Sequence, residues 1–113
     1  MIEKVGDQFK LIVIIVKKGL SRRVIQACKK AGAEGGTIIQ GKGTGTHDTG
    51  TIFGVNIEPE KDIILCLATN ELTDKVLSKV KAAVRLDKPG TGIAFIVNSK
   101  SITGIAHLLD KDF

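Results

Sequence analysis

Residues 35–54, GGTIIQGKGTGTHDTGTIFG, divide this sequence into two halves of similar pattern. Seven of the 20 residues are Gly and five are Thr, and large side chains are rare among them. Such a segment cannot build a hydrophobic core. A loop longer than about 12 residues inside a small domain usually serves a function or is disordered. We therefore interpret this loop as the working surface of the protein, held at its base and mobile at its tip.

The first half of the sequence predicts a strand, a helix and a second strand. Residues 9–16 (FKLIVIIV) form a continuous apolar run rich in β-branched residues, which indicates a buried strand. The next segment places apolar residues on one helical face and Arg, Gln and Lys on the other. Ser21 is its predicted N-cap, and Gly32 is expected to end the helix. Residues 37–40 (TIIQ) then predict a short strand that enters the loop.

The second half repeats this order. The chain leaves the loop at residues 52–57, and residues 62–68 (DIILCLA) predict a third strand. Asn70 is the predicted cap of a second helix that must end before Pro89. Residues 93–97 (IAFIV) predict the fourth strand. The buried face of the second helix is predicted to consist of Leu72, Val76, Leu77, Val80, Ala83 and Val84.

This order of elements predicts an α+β fold. It is the ferredoxin-like β-α-β-β-α-β arrangement, with a four-stranded antiparallel sheet, two helices on one face and a long loop between strands two and three. We expect residues 1–113 to form a single domain, with a flexible loop at 42–53 and a C-terminal tail at 99–113. The tail is compatible with either a short strand or a helix.

The strands also predict self-association. A sheet with one exposed face normally shows alternating apolar and polar residues, and these strands do not alternate. Because two helices cover only one face, we expect the other face to pack against further copies of the chain. The alternative is that the tail folds back over this face, but its 13 residues after position 100 can cover only part of it.

Composition excludes several classes of function. The net charge of +5 permits an anionic ligand, but four Phe and no Trp or Tyr argue against binding nucleic acid by base stacking. Cys28 and Cys66 form no disulfide framework, which favours a reducing compartment, and both fall at predicted core positions. The N-terminal residues lack the apolar core of a signal peptide, and the run at 11–16 is too short to span a bilayer. We expect a cytoplasmic protein.

Two Gly/Thr turns that each contain a lysine are the main candidates for a binding site. The first, QGKGTG, contains Lys42 between Gly41 and Gly43, and the second, KPGTG, contains Lys88 and Thr91. Glycine allows the backbone to approach a phosphate closely, and Lys and Thr supply a charge and hydroxyl groups. Neither turn matches a Walker A motif or a dinucleotide fingerprint, so ordinary turn chemistry is the alternative.

Few residues suggest metal binding or catalysis. His47 and Asp48 at the tip of the loop are at most weak metal ligands, since two residues do not make a zinc or calcium site. No Ser/His/Asp or Cys/His arrangement is visible. We therefore predict a binding module without catalytic or metal-ligating residues. A metal- or anion-binding module and a small phosphohydrolase remain the alternatives.

Two stretches and the order of elements carry a family resemblance. TIIQGKGTG and KPGTGIAFIV resemble the T-x-x-x-x-K-G-x-G and K-x-G-x-G-K-I-F-V patterns of the PII signal-transduction (nitrogen regulatory) family, over roughly residues 9–98. This resemblance implies a homotrimer with an adenine-nucleotide effector (AMP, ADP, ATP or a cyclic nucleotide) in clefts between subunits. It also implies that the loop controls a target membrane transporter or enzyme.

The resemblance implies site residues and also three departures. The family's T-loop corresponds to the long loop, and its B-loop corresponds to the KPGTG turn. The implied ligand-binding residues are Thr37, Lys42, Gly43 and Gly45 where the T-loop begins, Lys88, Gly90, Thr91 and Gly92 in the B-loop, and Ile15 and Leu67 around the adenine base. The implied partner-binding residues are Thr46, His47, Asp48, Thr49 and Thr51. Ile93, Gly104 and Ala106 stand where the family carries a lysine and two arginines. A charge-assisted hydrogen bond contributes about 1.5–3 kcal/mol. Because three cationic side chains are missing, we expect a triphosphate to bind more weakly.

Overall fold

The computed structural model describes residues 8–44, 51–52, 55–56 and 59–104. In chain order the elements are β1 (Phe9–Lys17), α1 (Ser21–Lys30), β2 (Thr37–Lys42), β3 (Thr51–Ile52), β4 (Val55–Asn56), β5 (Glu60–Thr69), α2 (Asn70–Val84) and β6 (Gly92–Asn98). Within these ranges, neither helix is long and apolar enough to cross a membrane.

The main sheet has the strand order β2-β5-β1-β6, and each neighbouring pair is antiparallel. Both helices pack against the same face of this sheet. The predicted ferredoxin-like β-α-β-β-α-β fold is therefore confirmed. Among the described residues, the two-residue strands β3 and β4 pair with each other in a separate two-stranded sheet.

The predicted helix caps at Ser21 and Asn70 are wrong by one residue. Ser21 and Asn70 are each the first residue of their helix. The N-caps are Leu20 and Thr69, and neither makes a side-chain capping bond. Before α1, the Leu20 amide donates to the Lys17 carbonyl and tightens the turn. Before α2, Thr69 is still the last residue of β5, so the strand leads directly into the helix.

The predicted end of α1 at Gly32 is confirmed. Gly32 has a φ of 109°, a conformation that favours glycine. Its amide donates to the Lys29 carbonyl at 3.0 Å, and the Ala33 amide donates to the Cys28 carbonyl at 3.0 Å. This pair of bonds is the Schellman motif, which satisfies two carbonyls that have no partner inside the helix.

The core lies between the helices and the even-numbered side chains of β1 and β5. Its fully buried members from the sheet are Ile12, Ile14, Val16, Ile64 and Cys66, and from the helices Val24, Cys28, Val76 and Val80. Both cysteines are free thiols, as expected of core residues. The hydrogen bond to Cys66, together with burial, raises the pKa of the Cys28 thiol, which keeps it protonated at neutral pH.

The buried face of α2 differs from the prediction at two positions. Ala83 is exposed, whereas Thr73 is buried. The Thr73 hydroxyl donates to the Thr69 carbonyl at 3.0 Å. Because this bond satisfies the buried hydroxyl, Thr73 can occupy a core position that the hydrophobic pattern did not assign to it.

We predict that Ile64→Ala lowers the free energy of unfolding by about 2–5 kcal/mol, because it removes a fully buried side chain and leaves a cavity. Ile38→Ala is the matched control, since Ile38 pairs with Ile64 in the neighbouring strand but is 47% exposed. It should cost about 1 kcal/mol or less. Urea unfolding of both variants measures the difference, and equal losses would contradict the assigned core.

Candidate functional site

Four strand ends meet at one end of the sheet, which we call the loop end. β1 and β2 finish there, and β5 and β6 begin there. The register shows this, because Val16 pairs with both Asp62 and Gly92, and Lys42 pairs with Glu60. Both candidate turns of the sequence therefore lie at the same end of the molecule.

The base of the long loop is closed by backbone pairing. Lys42 is the last residue of β2 and lies opposite Glu60, the first residue of β5. One step further, the Gly43 amide donates to the Pro59 carbonyl at 3.0 Å. The chain that leaves β2 and the chain that returns to β5 are thus held side by side at the point where the loop begins.

An open cleft of about 280 Å³ lies next to this base. Its lining residues are Lys18, Gln40, Gly41, Lys42, Glu60, Lys61 and Asp62. The Lys18 ammonium donates to the Glu60 carboxylate at 2.6 Å, and both side chains are more than half exposed. This bond lowers the pKa of Glu60 and raises that of Lys18, so both groups are charged at neutral pH.

Asp62 anchors the turn between β1 and α1. Its side chain is 97% buried, and one carboxylate oxygen accepts a hydrogen bond from the Gly19 amide at 3.0 Å. Gly19 has a φ of 97°, which favours glycine. The bond fixes the turn that carries Lys18, and it thereby places the Lys18 ammonium at the cleft.

The second turn, residues 88–92, is held by its own threonine. The Thr91 hydroxyl lies 2.6 Å from the Lys88 carbonyl and 2.8 Å from the Arg85 carbonyl. The Thr91 carbonyl in turn accepts a bond from the Lys17 amide at 3.3 Å. Because its single proton is directed at these carbonyls, the Thr91 hydroxyl in this conformation serves the turn and can only accept from a ligand.

The backbone at Gly92 lies so close to β1 that it leaves no room for a side chain. A Cβ at this position would lie 2.3 Å from the Ile15 carbonyl oxygen and 2.8 Å from a Val16 methyl group. The backbone approach explains a glycine where β6 begins.

The two turns do not meet within one chain. Lys42 and Gly92 lie on β2 and β6, the opposite edge strands. Three inter-strand spacings of about 4.8 Å separate these edges by about 14 Å. A single small anion therefore cannot contact the backbone of both turns within one chain.

The residues expected around the adenine base of a nucleotide are also spread along the sheet. Ile15 and Leu67 share the face that carries no helix, but Ile15 pairs with Ile63, four residues from Leu67. Four residues of a strand span about 13 Å. Thr37, at the start of β2, lies beside Leu65. Ile15 and Leu67 of one chain therefore lie well apart on this face, and their part in binding a ligand stays a prediction.

Part of the expected site lies outside the described residues. Gly45, Thr46, His47, Asp48 and Thr49 belong to this part, as does Ala106 among the departures, while Thr51 begins β3. Ile93 is 58% exposed on β6. In the part of the chain that the structure does describe, no three His, Cys, Asp or Glu side chains are placed to hold a metal.

Sequence reasoning did not assign Lys18, Glu60 or Asp62 to the site. For Asp62 the sequence does contain a signal. Because side chains alternate along a strand with a period of two, Asp62 lies on the same face of β5 as the buried Ile64 and Cys66. A carboxylate in an otherwise apolar row indicates a specific partner. The Lys18–Glu60 pair gave no such signal, since its members are 42 residues apart.

The face of the sheet opposite the helices, which we call the open face, is apolar throughout its centre. It carries Leu11, Val13, Ile15, Ile39, Ile63, Leu65, Leu67, Ile93, Phe95 and Val97, which the register places in three rows. Phe95 and Val97 are each 43% exposed in the isolated chain. A contiguous apolar surface of this kind marks an interaction site.

Comparisons with known proteins agree with this architecture. A family model described as nitrogen regulatory protein P-II matches residues 9–106. The crystal structure of Arabidopsis thaliana PII bound to citrate superposes with a TM-score of 0.64 at 20% sequence identity, over 80% of this chain and 77% of that chain. No curated protein sequence matches this chain.

The fold and the two turns define a small ferredoxin-like domain with a long loop at one end of its sheet. The family model covers both turns and all four strands of the main sheet. The chain belongs to the PII nitrogen regulatory family. Proteins of this family are typically regulators without enzymatic activity.

We predict that Gly92→Ala destabilises the protein by about 1–3 kcal/mol, because the new methyl group must displace the backbone of β1 or β6. Gly43→Ala is the control, since a Cβ there meets only the flexible Lys61 side chain at 3.6 Å. Thermal unfolding of both variants tests this contrast. An unchanged melting temperature for Gly92→Ala would show that β6 does not start as close to β1 as described.

Proposed function

We propose that this PII-family protein binds a small anionic effector, an adenine nucleotide, in clefts between the subunits of a homotrimer. The long loop at 42–53 then docks on a membrane transporter or an enzyme. The effector changes the population of loop conformations, and the target recognises one of them.

The position of the two turns is the observation that carries this proposal. Both turns lie at the loop end, yet on opposite edge strands about 14 Å apart. We therefore place the effector between Lys42 and Gly43 of one chain and residues 88–92 of its neighbour. Binding of the effector would then depend on subunit contact and would act on the loop that begins at Lys42. Within one chain the backbones of these two turns are too far apart to hold one small anion.

The open face supports the trimeric assembly. Ten apolar side chains in three rows lie on the face opposite α1 and α2, and within the described residues no helix covers them. Burial of apolar area stabilises association by roughly 25 cal/mol per Å² before the cost of ordering. Packing three such sheets against one another would remove this surface from water. The edge strands β2 and β6 of adjacent subunits would then lie near each other.

The three departures favour an effector with fewer phosphates than ATP. Ile93 projects from the open face, where it offers no charge, and Gly104 has no side chain. AMP, ADP or a cyclic nucleotide needs fewer cationic partners than a triphosphate does. An anion-binding trimeric module without nucleotide specificity is the second candidate, favoured by the three lysines that line the cleft.

A thermal-shift panel tests the effector. It contains ATP, ADP, AMP, cyclic AMP, cyclic di-AMP and bicarbonate, each with and without magnesium. A ligand at 100 times its dissociation constant stabilises the folded state by about 2.7 kcal/mol, which gives an easily measured shift. We expect a shift with one adenine compound that is lost in Lys42→Ala and retained in Lys79→Ala, a control on the exposed face of α2.

Hydrogen exchange tests the link to the loop. The active compound should increase protection of residues 42–54 while leaving exchange in α2 unchanged. A flat thermal-shift panel, or unchanged exchange in the loop with every compound, would contradict the proposed effector.

Analytical ultracentrifugation tests the assembly. Val13 lies in the middle row of the open face, between Leu65 and Phe95, so Val13→Glu should convert the trimer to a monomer. Burying that carboxylate without a partner would cost several kcal/mol per subunit. Ala82→Glu introduces the same charge on the exposed face of α2 and should leave the trimer intact. A wild-type protein that sediments as a monomer would refute the assembly.

A further inference from the structure

The cleft beside the loop base combines three lysines with two carboxylates. The two carboxylates play different roles. Asp62 is buried and tied to the Gly19 amide, whereas Glu60 is exposed and reaches across to Lys18. Glu60 is therefore the carboxylate that can leave the cleft without exposing a buried partner.

Glu60 lies beside two lysines. Its bond with Lys18 is 2.6 Å long, and Lys42 is its partner in the pairing of β2 with β5. Lys18 lowers the pKa of Glu60 most and Lys42 lowers it further, while the Asp62 carboxylate raises it. A carboxylate in this place occupies the position that the anionic group of a ligand would take.

The size of the cleft limits what it can hold. Pockets for drug-sized ligands have volumes of about 300–1,000 Å³. A cleft of about 280 Å³ is at the lower limit of this range, so it suits a phosphate chain or another small polyanion rather than a whole nucleotide.

The Lys18–Glu60 bond is weak enough to exchange. Both side chains are more than half exposed, at 59% and 53%, and exposed ion pairs contribute little to stability. The bond nevertheless sits at a sensitive place, because Glu60 follows Pro59, whose carbonyl accepts the amide of Gly43. A change of partner at Glu60 thus occurs one residue from the closure of the loop.

We propose that Glu60 is a built-in competitor for an anion site formed by Lys18 and Lys42, and that a ligand phosphate binds by displacing the Glu60 carboxylate from Lys18. The inference rests on the proposed function in placing the effector at this end of the molecule. It adds the ligand group that is recognised, a phosphate chain, and the residue that the ligand must displace.

Isothermal titration calorimetry with inorganic pyrophosphate tests the exchange on the full chain. Glu60→Gln removes the competing charge and should tighten pyrophosphate binding about two- to fivefold, the range expected for loss of an exposed ion pair. Lys18→Gln should weaken binding about fivefold. In the double variant Lys18→Gln/Glu60→Gln, the gain from Glu60→Gln should shrink, because the carboxylate acts mainly through Lys18.

Two control variants separate exchange from net charge. Asp74→Asn and Lys79→Gln make the same charge changes on the exposed face of α2 and should leave pyrophosphate affinity unchanged. Equal tightening in Asp74→Asn and Glu60→Gln would overturn the exchange. Absence of pyrophosphate binding in both the wild type and Glu60→Gln would overturn it as well.

The two proposals fail in different ways. Nucleotide binding that does not respond to Glu60→Gln, with pyrophosphate equally unresponsive, would overturn the exchange and leave the proposed effector intact. Pyrophosphate binding that follows the predicted order, with no shift from any adenine compound, would support the exchange and refute the nucleotide effector.

Discussion

The apolar character of both faces of the sheet is the constraint on which the rest of the structure depends. The side chains of Ile12, Ile14, Val16, Ile64 and Cys66 are buried beneath the helices, and the side chains on the opposite face of β1 and β5 are mostly apolar as well. Within the described residues, both helices cover the same face. In the proposed trimer, other copies of the protein cover the second face, and a site completed by neighbouring copies follows from the same arrangement.

The separation of the two turns gives this requirement a functional meaning. If Lys42 and Gly92 lay on adjacent strands, a monomer could bind an anion with both turns, and assembly would not affect the ligand. They lie instead on opposite edges of the sheet. In the proposed trimer, ligand affinity and subunit contact are therefore linked, so that conditions favouring one favour the other. The proposed effector would then be read out cooperatively.

Features with local causes could be predicted from the sequence, and features that depend on register could not. Apolar β-branched runs gave β1, β5 and β6, and Gly32 gave the end of α1. The cap at Ser21 was misplaced because the turn before α1 is set by Asp62, which lies 43 residues from Gly19. The two Gly/Thr turns could be recognised from composition. Glu60 could not be assigned to Lys18, because only the strand register shows that they lie side by side.

The backbone bond between Gly43 and Pro59 also bears on how the family diversifies. It fixes the ends of the 15 residues 44–58 at neighbouring points, independently of what lies between them. The entropy of closing a segment between fixed ends grows only logarithmically, by about 0.6 kcal/mol for each doubling of length. Insertions, deletions or wholesale exchange of this segment therefore cost the sheet very little. Under the proposed function, changes confined to these residues would alter the recognised target and leave the main sheet as it is.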